Sequence, residues 1–135
     1  LFLCVGNSAR SQIAEGIARQ MFGRSHTIHS AGSNPSRFVH PGAIDTLGGL
    51  DIDISKNKPK SIEDLDTSFI NNLDFVITLC AEEICPVLPT KAKSLRWMHE
   101  DPANTKYNKI ESKLSFTKIR DNLFSLLKKF MIDNL

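Results

Sequence analysis

Cys4-Val5-Gly6-Asn7-Ser8-Ala9-Arg10-Ser11 is the stretch on which the reading of this chain turns. Upstream of it, Leu1-Phe2-Leu3-Cys4-Val5 is a short unbroken apolar run, as expected of a central parallel strand buried on both faces. Downstream, Ile13, Ala14, Ile17, Ala18, Met21 and Phe22 recur at helical spacing between Ser11 and Phe22, and Gly23 supplies the stop. The octapeptide therefore joins a strand to a helix. Backbone N–H groups at a helix N-terminus are unsatisfied, and the macrodipole favours negative charge there. Gly6 allows a tight turn and Asn7 tolerates left-handed backbone angles. The backbone of Val5, Gly6, Asn7, Ser8, Ala9 and Arg10 is thus a candidate cradle for a tetrahedral oxyanion. The planar fork of Arg10 suits two of its oxygens, which a lysine would not match. The same positive field favours the thiolate of Cys4, and the Ser11 hydroxyl is placed to hydrogen-bond that sulfur. A bare C-x5-R is common by chance; its strand, Gly-Asn turn and helix make the combination specific.

Working outward, the rest of the chain alternates strands and helices. Thr27 to Ser30 reads as a second strand ending at Ala31-Gly32, and Gly48-Gly49 terminates a short helix over Gly42 to Leu47. Leu50 to Pro59 is irregular, and Ser61 caps a helix from Ile62 to about Phe69, with Asp64 completing an approximate capping box. Phe75 to Leu79 is a third buried strand and Ser94 to Met98 a fourth. The chain ends on a long amphipathic helix with Ile119, Leu123, Leu126, Leu127 and Phe130 on one face. Such alternation predicts an α/β fold with a parallel sheet between two helical layers. Ligands in such sheets bind at the carboxyl ends of strands, where Cys4, Cys80 and the Asp101 loop all fall.

The 135 residues fit one compact domain spanning the whole chain, with 41% hydrophobic and 24% charged residues as in ordinary globular proteins. A net charge of +2 gives no reason to expect nucleic acid or an acidic membrane as partner. No apolar run approaches the roughly 18 residues that span a bilayer, and no signal peptide is read. The sequence opens on Leu1 rather than Met, inside a strand, so a few native residues are expected upstream. Three cysteines, an odd count, argue against a secreted disulfide framework and for reduced thiols in the cytoplasm. A structural zinc would need four ligands; neither a CxxC-like pair nor an HxxxH partner appears, so no metal or other cofactor is expected. His26, His29, His40 and His99 lack ligand-like spacing and read as surface or packing residues.

Cys4-Val5-Gly6-Asn7-Ser8-Ala9-Arg10-Ser11-Gln12, continued by Ala14-Glu15-Gly16, resembles the N-terminus of the thioredoxin-coupled arsenate reductases. The likeness runs on through Ser30-Ala31-Gly32, Ile52-Asp53-Ile54-Ser55, Val76-Ile77-Thr78-Leu79-Cys80, Cys85-Pro86 and Asp101-Pro102-Ala103. Those enzymes share the low-molecular-weight protein tyrosine phosphatase fold. The resemblance implies a three-layer sandwich with a four-stranded parallel sheet. It also implies a sequence of thiol steps. Cys4 attacks arsenate, Cys80 attacks the adduct and releases arsenite, and Cys85 displaces Cys4. Thioredoxin or another thiol reductant then opens an exposed Cys80–Cys85 bond. Four residues separate these two cysteines where well-known reductases place six, so the segment reads as a shortened variant. Residues five apart in a helix have Cα atoms roughly 8–9 Å apart, beyond the reach of a disulfide. A Cys80–Cys85 bond thus demands an irregular segment, which Pro86 favours. Two core cysteines after a buried strand are the plain alternative.

By the same resemblance, Asp101 is the general acid that protonates the leaving oxygen, and Pro102 stiffens its loop. Asp-Pro is also a common turn, and Glu100 is the nearest competitor. Phosphatases of this fold usually carry an aromatic after Asp-Pro; Ala103 stands there instead and favours the reductase. Some reductases bind potassium beside the loop through Asn, Glu, Ser and Asp. Asn7, Glu15 and Ser30 match three of these, while Lys60 falls at the Asp position. A fixed ammonium there would replace the cation; a solvated lysine is the alternative. Arsenate reduction leads, resting on Cys80, Cys85 and Ala103. A phosphatase acting through a Cys4 phosphocysteine is the runner-up, and a non-catalytic oxyanion-binding or redox-sensing module comes third. A monomer that takes arsenate or phosphate is expected.

Overall fold

The computed structural model describes residues 1–81 and 85–135. Strand β1 (Phe2–Cys4) leads into helix α1 (Arg10–Phe22), then β2 (Ser30–Gly32), α2 (Pro41–Gly48) and a 3-10 turn (Ile62–Asp64). After these come α3 (Thr67–Asn71), β3 (Phe75–Thr78), β4 (Lys93–Arg96) and the terminal α4 (Lys109–Asn134). The strands form one parallel sheet in the order β2-β1-β3-β4. The apolar run at the N-terminus is central because it is buried on both faces. Phe2 and Ile77 meet α1, α2 and α4 in the larger core, with Ile13, Ile17, Leu47, Phe116, Leu123 and Leu127. Leu1, Leu3, Ala31 and Val76 pack on the opposite face, against Leu65, Phe69 and Ile70 around α3. Helices thus cover both faces of a four-stranded parallel sheet, as expected. Among the described residues no helix is long and apolar enough to cross a membrane.

Three expectations need correction. β2 begins at Ser30, not Thr27, because Phe2, where β1 begins, is the register partner of Ser30 and leaves the earlier residues no strand to join. β4 runs from Lys93 to Arg96, set by the register Phe75↔Lys93 through Thr78↔Arg96, so Trp97 and Met98 continue beyond it as loop. The helix expected over Ile62–Phe69 is divided. Ser61 N–H does donate to Asp64 Oδ2 at 3.0 Å, as the capping box requires. Leu65 and Asp66 then take extended ψ angles of 145° and 136°, and α3 restarts at Thr67. Leu65 is drawn into the smaller core, and that tertiary contact overrides the local helix signal.

The terminal helix begins at a full capping box. Asn108 accepts from the Glu111 N–H at 2.8 Å, and Glu111 accepts in return from the Asn108 N–H at 3.1 Å. Its buried face carries Phe116, Ile119, Leu123, Leu127 and Phe130, with Leu126 only half-buried.

Candidate active site

The parallel register brings the sequence-derived candidates to one rim. Leu3 pairs with Thr78, so Cys4 and Leu79 are neighbours, and the Leu79 N–H donates to the Leu3 carbonyl at 2.9 Å. Cys80 is the next residue. It lies just past the carboxyl end of β3, on the same rim as Cys4. Beyond β4 the chain keeps running beside β3: Trp97 N–H meets the Thr78 carbonyl at 2.8 Å and His99 N–H the Leu79 carbonyl at 3.1 Å. This carries the Asp101 loop to the same rim.

Cys4 is buried at the mouth of the loop and is free of disulfide. The Asn7 N–H points at Cys4 Sγ at 3.2 Å, and Ser11 Oγ lies 2.8 Å from the same sulfur. Asn7 takes the left-handed conformation, φ 49°, as its residue type allows. Its Nδ2 donates to Ser11 Oγ at 2.8 Å and to Ser30 Oγ at 2.9 Å. The loop is braced from outside by residues 34–40. The carbonyls of Val5, Gly6 and Ser8 accept from the N–H groups of Asn34, Ser36 and His40 at 3.0, 2.9 and 2.8 Å. With these carbonyls held outward, the loop keeps its curvature and the intervening N–H groups are available to face an anion. Gly32 has a demanding position of its own. A Cβ there would collide with the Val5 carbonyl and come within 3.0 Å of the Asn7 nitrogen, so the end of β2 must be glycine for the loop to lie against it.

Arg10 is buried, and its Nη1 donates to the His99 carbonyl at 3.0 Å. This bond spans 89 residues of sequence and ties the cradle to the Asp101 loop. Burial lowers the pKa of His99 below the usual histidine range, and the Arg10 charge adds to this against the opposing Trp97 carbonyl. Asp101 is half-buried, and its Oδ1 accepts from the Ala103 N–H at 2.9 Å, the turn that the Asp-Pro dipeptide favours. Pro102 is fully buried, and the Ser112 hydroxyl donates to its carbonyl at 3.2 Å, anchoring the loop on α4. Glu100 is exposed and occupied elsewhere: it accepts from Tyr107 Oη at 2.8 Å and lies 3.8 Å from Lys106 Nζ. The Tyr107 pKa is raised by that hydrogen bond.

Cys80 and Cys85 form a disulfide with Cα atoms 5.5 Å apart. Cys80 is buried and Cys85 half-buried, so the bond is accessible from the Cys85 end rather than freely exposed. The flanking residues are non-helical, in line with the distance argument; Glu82, Glu83 and Ile84 lie outside the described residues.

At the loop's support, Glu15 is buried, with Lys60 Nζ 3.8 Å and Arg19 Nη2 3.4 Å from its Oε1. These residues do not fit a potassium ion. One carboxylate already faces two fixed cations, and a third positive charge would be repelled. The Lys60 backbone N–H also donates to Asn7 Oδ1 at 2.9 Å, and its carbonyl accepts from the Gly32 N–H at 2.9 Å. The histidines serve as packing and capping groups: His40 Nδ1 accepts from the Gly42 N–H at 2.9 Å, and its ring lies on Phe116. Burial, with help from Arg19, lowers the pKa of His29.

All residues from 1 to 135 match the model of the low molecular weight phosphotyrosine protein phosphatase family. The chain belongs to that family. Within it, the chain is 38% identical over 131 residues to an arsenate reductase of Bacillus subtilis (strain 168), covering 96% of this chain and 91% of the relative. A solved arsenate reductase in the phosphate binding state superposes with a TM-score of 0.79 at 28% identity, covering 98% of this chain and 95% of the other. A thioredoxin-dependent arsenate reductase of Corynebacterium glutamicum superposes with a TM-score of 0.69 at 28% identity, covering 98% of this chain and 61% of that one.

Sequence reasoning gave no role to Gln12, Asn57, segment 34–40 or the His99 carbonyl. The only local signals were Gln12 directly after Ser11 and Gly32 closing a strand.

Proposed function

We propose that this member of the low molecular weight phosphatase family reduces arsenate to arsenite through a relay of its three cysteines. The observation that carries the reading is the Cys80–Cys85 disulfide beside a free Cys4, with Cys80 one residue past the strand neighbour of Cys4. A phosphatase of this fold has no use for that pair. The relatives named arsenate reductases support the same reading.

In the first step Cys4 Sγ attacks arsenate held by the loop N–H groups and Arg10, and water leaves with a proton from Asp101. The Asn7 N–H and the Ser11 hydroxyl stabilise the sulfur before attack. In the second step Cys80 attacks Cys4 Sγ in the adduct. The S–As bond breaks, its electron pair stays on arsenic, and arsenite departs. A Cys4–Cys80 disulfide remains, the two sulfurs having supplied the two electrons. Cys85 then attacks Cys80, releasing Cys4 as thiolate and giving the disulfide seen here. A dithiol protein of the thioredoxin type attacks the accessible Cys85 sulfur and returns both cysteines to thiols. Lys60 acts as the fixed cation beside Glu15 and Asn7.

Hydrolysis of a phosphoester is the second reading, because the family description and the set Cys4, Arg10 and Asp101 fit it equally. Mass spectrometry of the Cys85→Ser protein after one arsenate turnover separates the two. A trapped Cys4–Cys80 disulfide is expected, and its absence would sink the relay.

A further inference from the structure

The hydrogen bonds around Cys4 have a direction that can be followed back from the sulfur. The two nitrogen-side contacts of Asn7, to Ser11 and Ser30, and its oxygen-side contact with the Lys60 backbone N–H fix the orientation of its amide. Because Ser11 Oγ accepts from Asn7, the single hydroxyl hydrogen of Ser11 is left for Cys4 Sγ. One more side chain stands behind Asn7. Gln12 is fully buried, and its Nε2 lies 3.1 Å from Asn7 Oδ1, 3.2 Å from the Asn7 carbonyl and 3.4 Å from the Lys58 carbonyl. All three are oxygens that accept, so Gln12 must present its nitrogen to them. Its Oε1 therefore faces away, where Asn57 Nδ2 donates to it at 3.1 Å.

We propose that Gln12, fixed by Asn57, is a positioning residue that holds Asn7 so that every bond along Asn57–Gln12–Asn7–Ser11 donates towards the Cys4 sulfur. Hydrogen bonds in such a chain polarise one another, and each amide that accepts at its oxygen donates more strongly at its nitrogen. Gln12 grips Asn7 at both its backbone and side-chain oxygens, which holds the left-handed turn as well as the amide plane. A glutamate here could not donate; a methionine would fill the space without bonding. The irregular segment around Asn57 thereby acts on the thiolate from 53 residues away along the chain. The inference rests on Cys4 being an attacking thiolate, a feature common to the reductase and phosphatase readings.

The test uses the oxidised protein, in which Cys4 is the one free thiol. Carboxamidomethylation of Cys4 by iodoacetamide is followed by mass spectrometry across pH. For Gln12→Met the rate at pH 6.5 is expected to fall about fivefold, the weight of one buried hydrogen bond between neutral groups. At pH 9.5, where the thiolate needs no help, it should agree with wild type within about twofold. Asn57→Ala, an exposed substitution that leaves the core intact, should show the same pattern at about threefold. Equal slowing at both pH values would mean altered access or folding and would overturn the proposal, as would unchanged rates in both variants. No arsenate enters the assay, so failure of arsenate turnover leaves its outcome readable. A wild-type rate at pH 6.5 no faster than that of free cysteine would overturn the Cys4 thiolate and this proposal together.

Discussion

Replacing Lys60 by Met keeps the aliphatic stem and removes the ammonium that faces Glu15. The charge separation is 3.8 Å, which at an effective dielectric near 20 gives a gross attraction of about 4 kcal/mol. Three observations reduce the net value. The Lys60 side chain is 29% exposed, so solvent screens it; ordering it costs rotamer entropy; and Arg19 Nη2 remains 3.4 Å from the same oxygen. Arg19 is itself half-exposed and cannot replace the lost charge fully. A net loss of about 1–2 kcal/mol follows, between the values for exposed and fully buried pairs. For 135 residues the unfolding entropy converts this into a fall in Tm of about 4–7 °C. The same variant exposes a carboxylate that potassium can partly neutralise. Thermal melts and arsenate turnover should therefore improve in potassium over sodium for Lys60→Met and be indifferent in wild type. A double-mutant cycle with Glu15→Gln should recover the pair energy, since Lys60 then has no charge to meet. Wild-type activity that rises several-fold with potassium but not sodium would refute the reasoning, as would a Lys60→Met protein melting within 1 °C of wild type.

Asp101→Asn should lower kcat by about 10²–10⁴-fold in phosphoester hydrolysis with much less change in KM, because only the leaving oxygen loses its proton donor. Glu100→Gln should leave steady-state kinetics within about twofold, since Tyr107 and Lys106 hold Glu100 away from the cradle. For His99 the folded-state pKa lies below the usual value, so the unfolded chain binds the proton first as pH falls. Stability is therefore full above about pH 6.5 and declines as pH drops through the window below it. Urea melts of His99→Asn against wild type at pH 7.5 and 5.5 should show a smaller acid loss in the variant. Gly32→Ala should cost about 1–3 kcal/mol in urea unfolding and lower Cys4 reactivity, because its methyl collides with the Val5 carbonyl.

The features legible in the sequence are those fixed by local pattern. The apolar run of β1, the 3.6-residue spacing in α1 and the Gly23 stop carry the strand–loop–helix unit, and with it the whole Cys4–Arg10 loop. The spacing of Ile119, Leu123 and Leu127 does the same for α4. Where local signals met tertiary demands, the tertiary demand prevailed. Ser61 and Asp64 form their cap, yet the helix breaks at Leu65 because that side chain serves the smaller core. Thr27 has strand propensity but no neighbouring strand to pair with. The site's cross-connections join residues far apart in sequence, and no local pattern links one partner to the other. Arg10 reaches the His99 carbonyl across 89 residues, and Gln12 reaches Asn57 across 45. Backbone carbonyls carry no residue identity, so the brace from residues 34–40 was equally invisible. Cys80 and Cys85 are joined as a disulfide rather than packed as separate core thiols.

Thioredoxin-coupled NADPH oxidation with arsenate, run beside phosphoester hydrolysis on wild type and Cys85→Ser, bears most directly on the three-cysteine account. Arsenate-dependent oxidation that Cys85→Ser abolishes while hydrolysis persists is the predicted result. Hydrolysis indifferent to Cys80 and Cys85, with no oxidation in wild type, would contradict it.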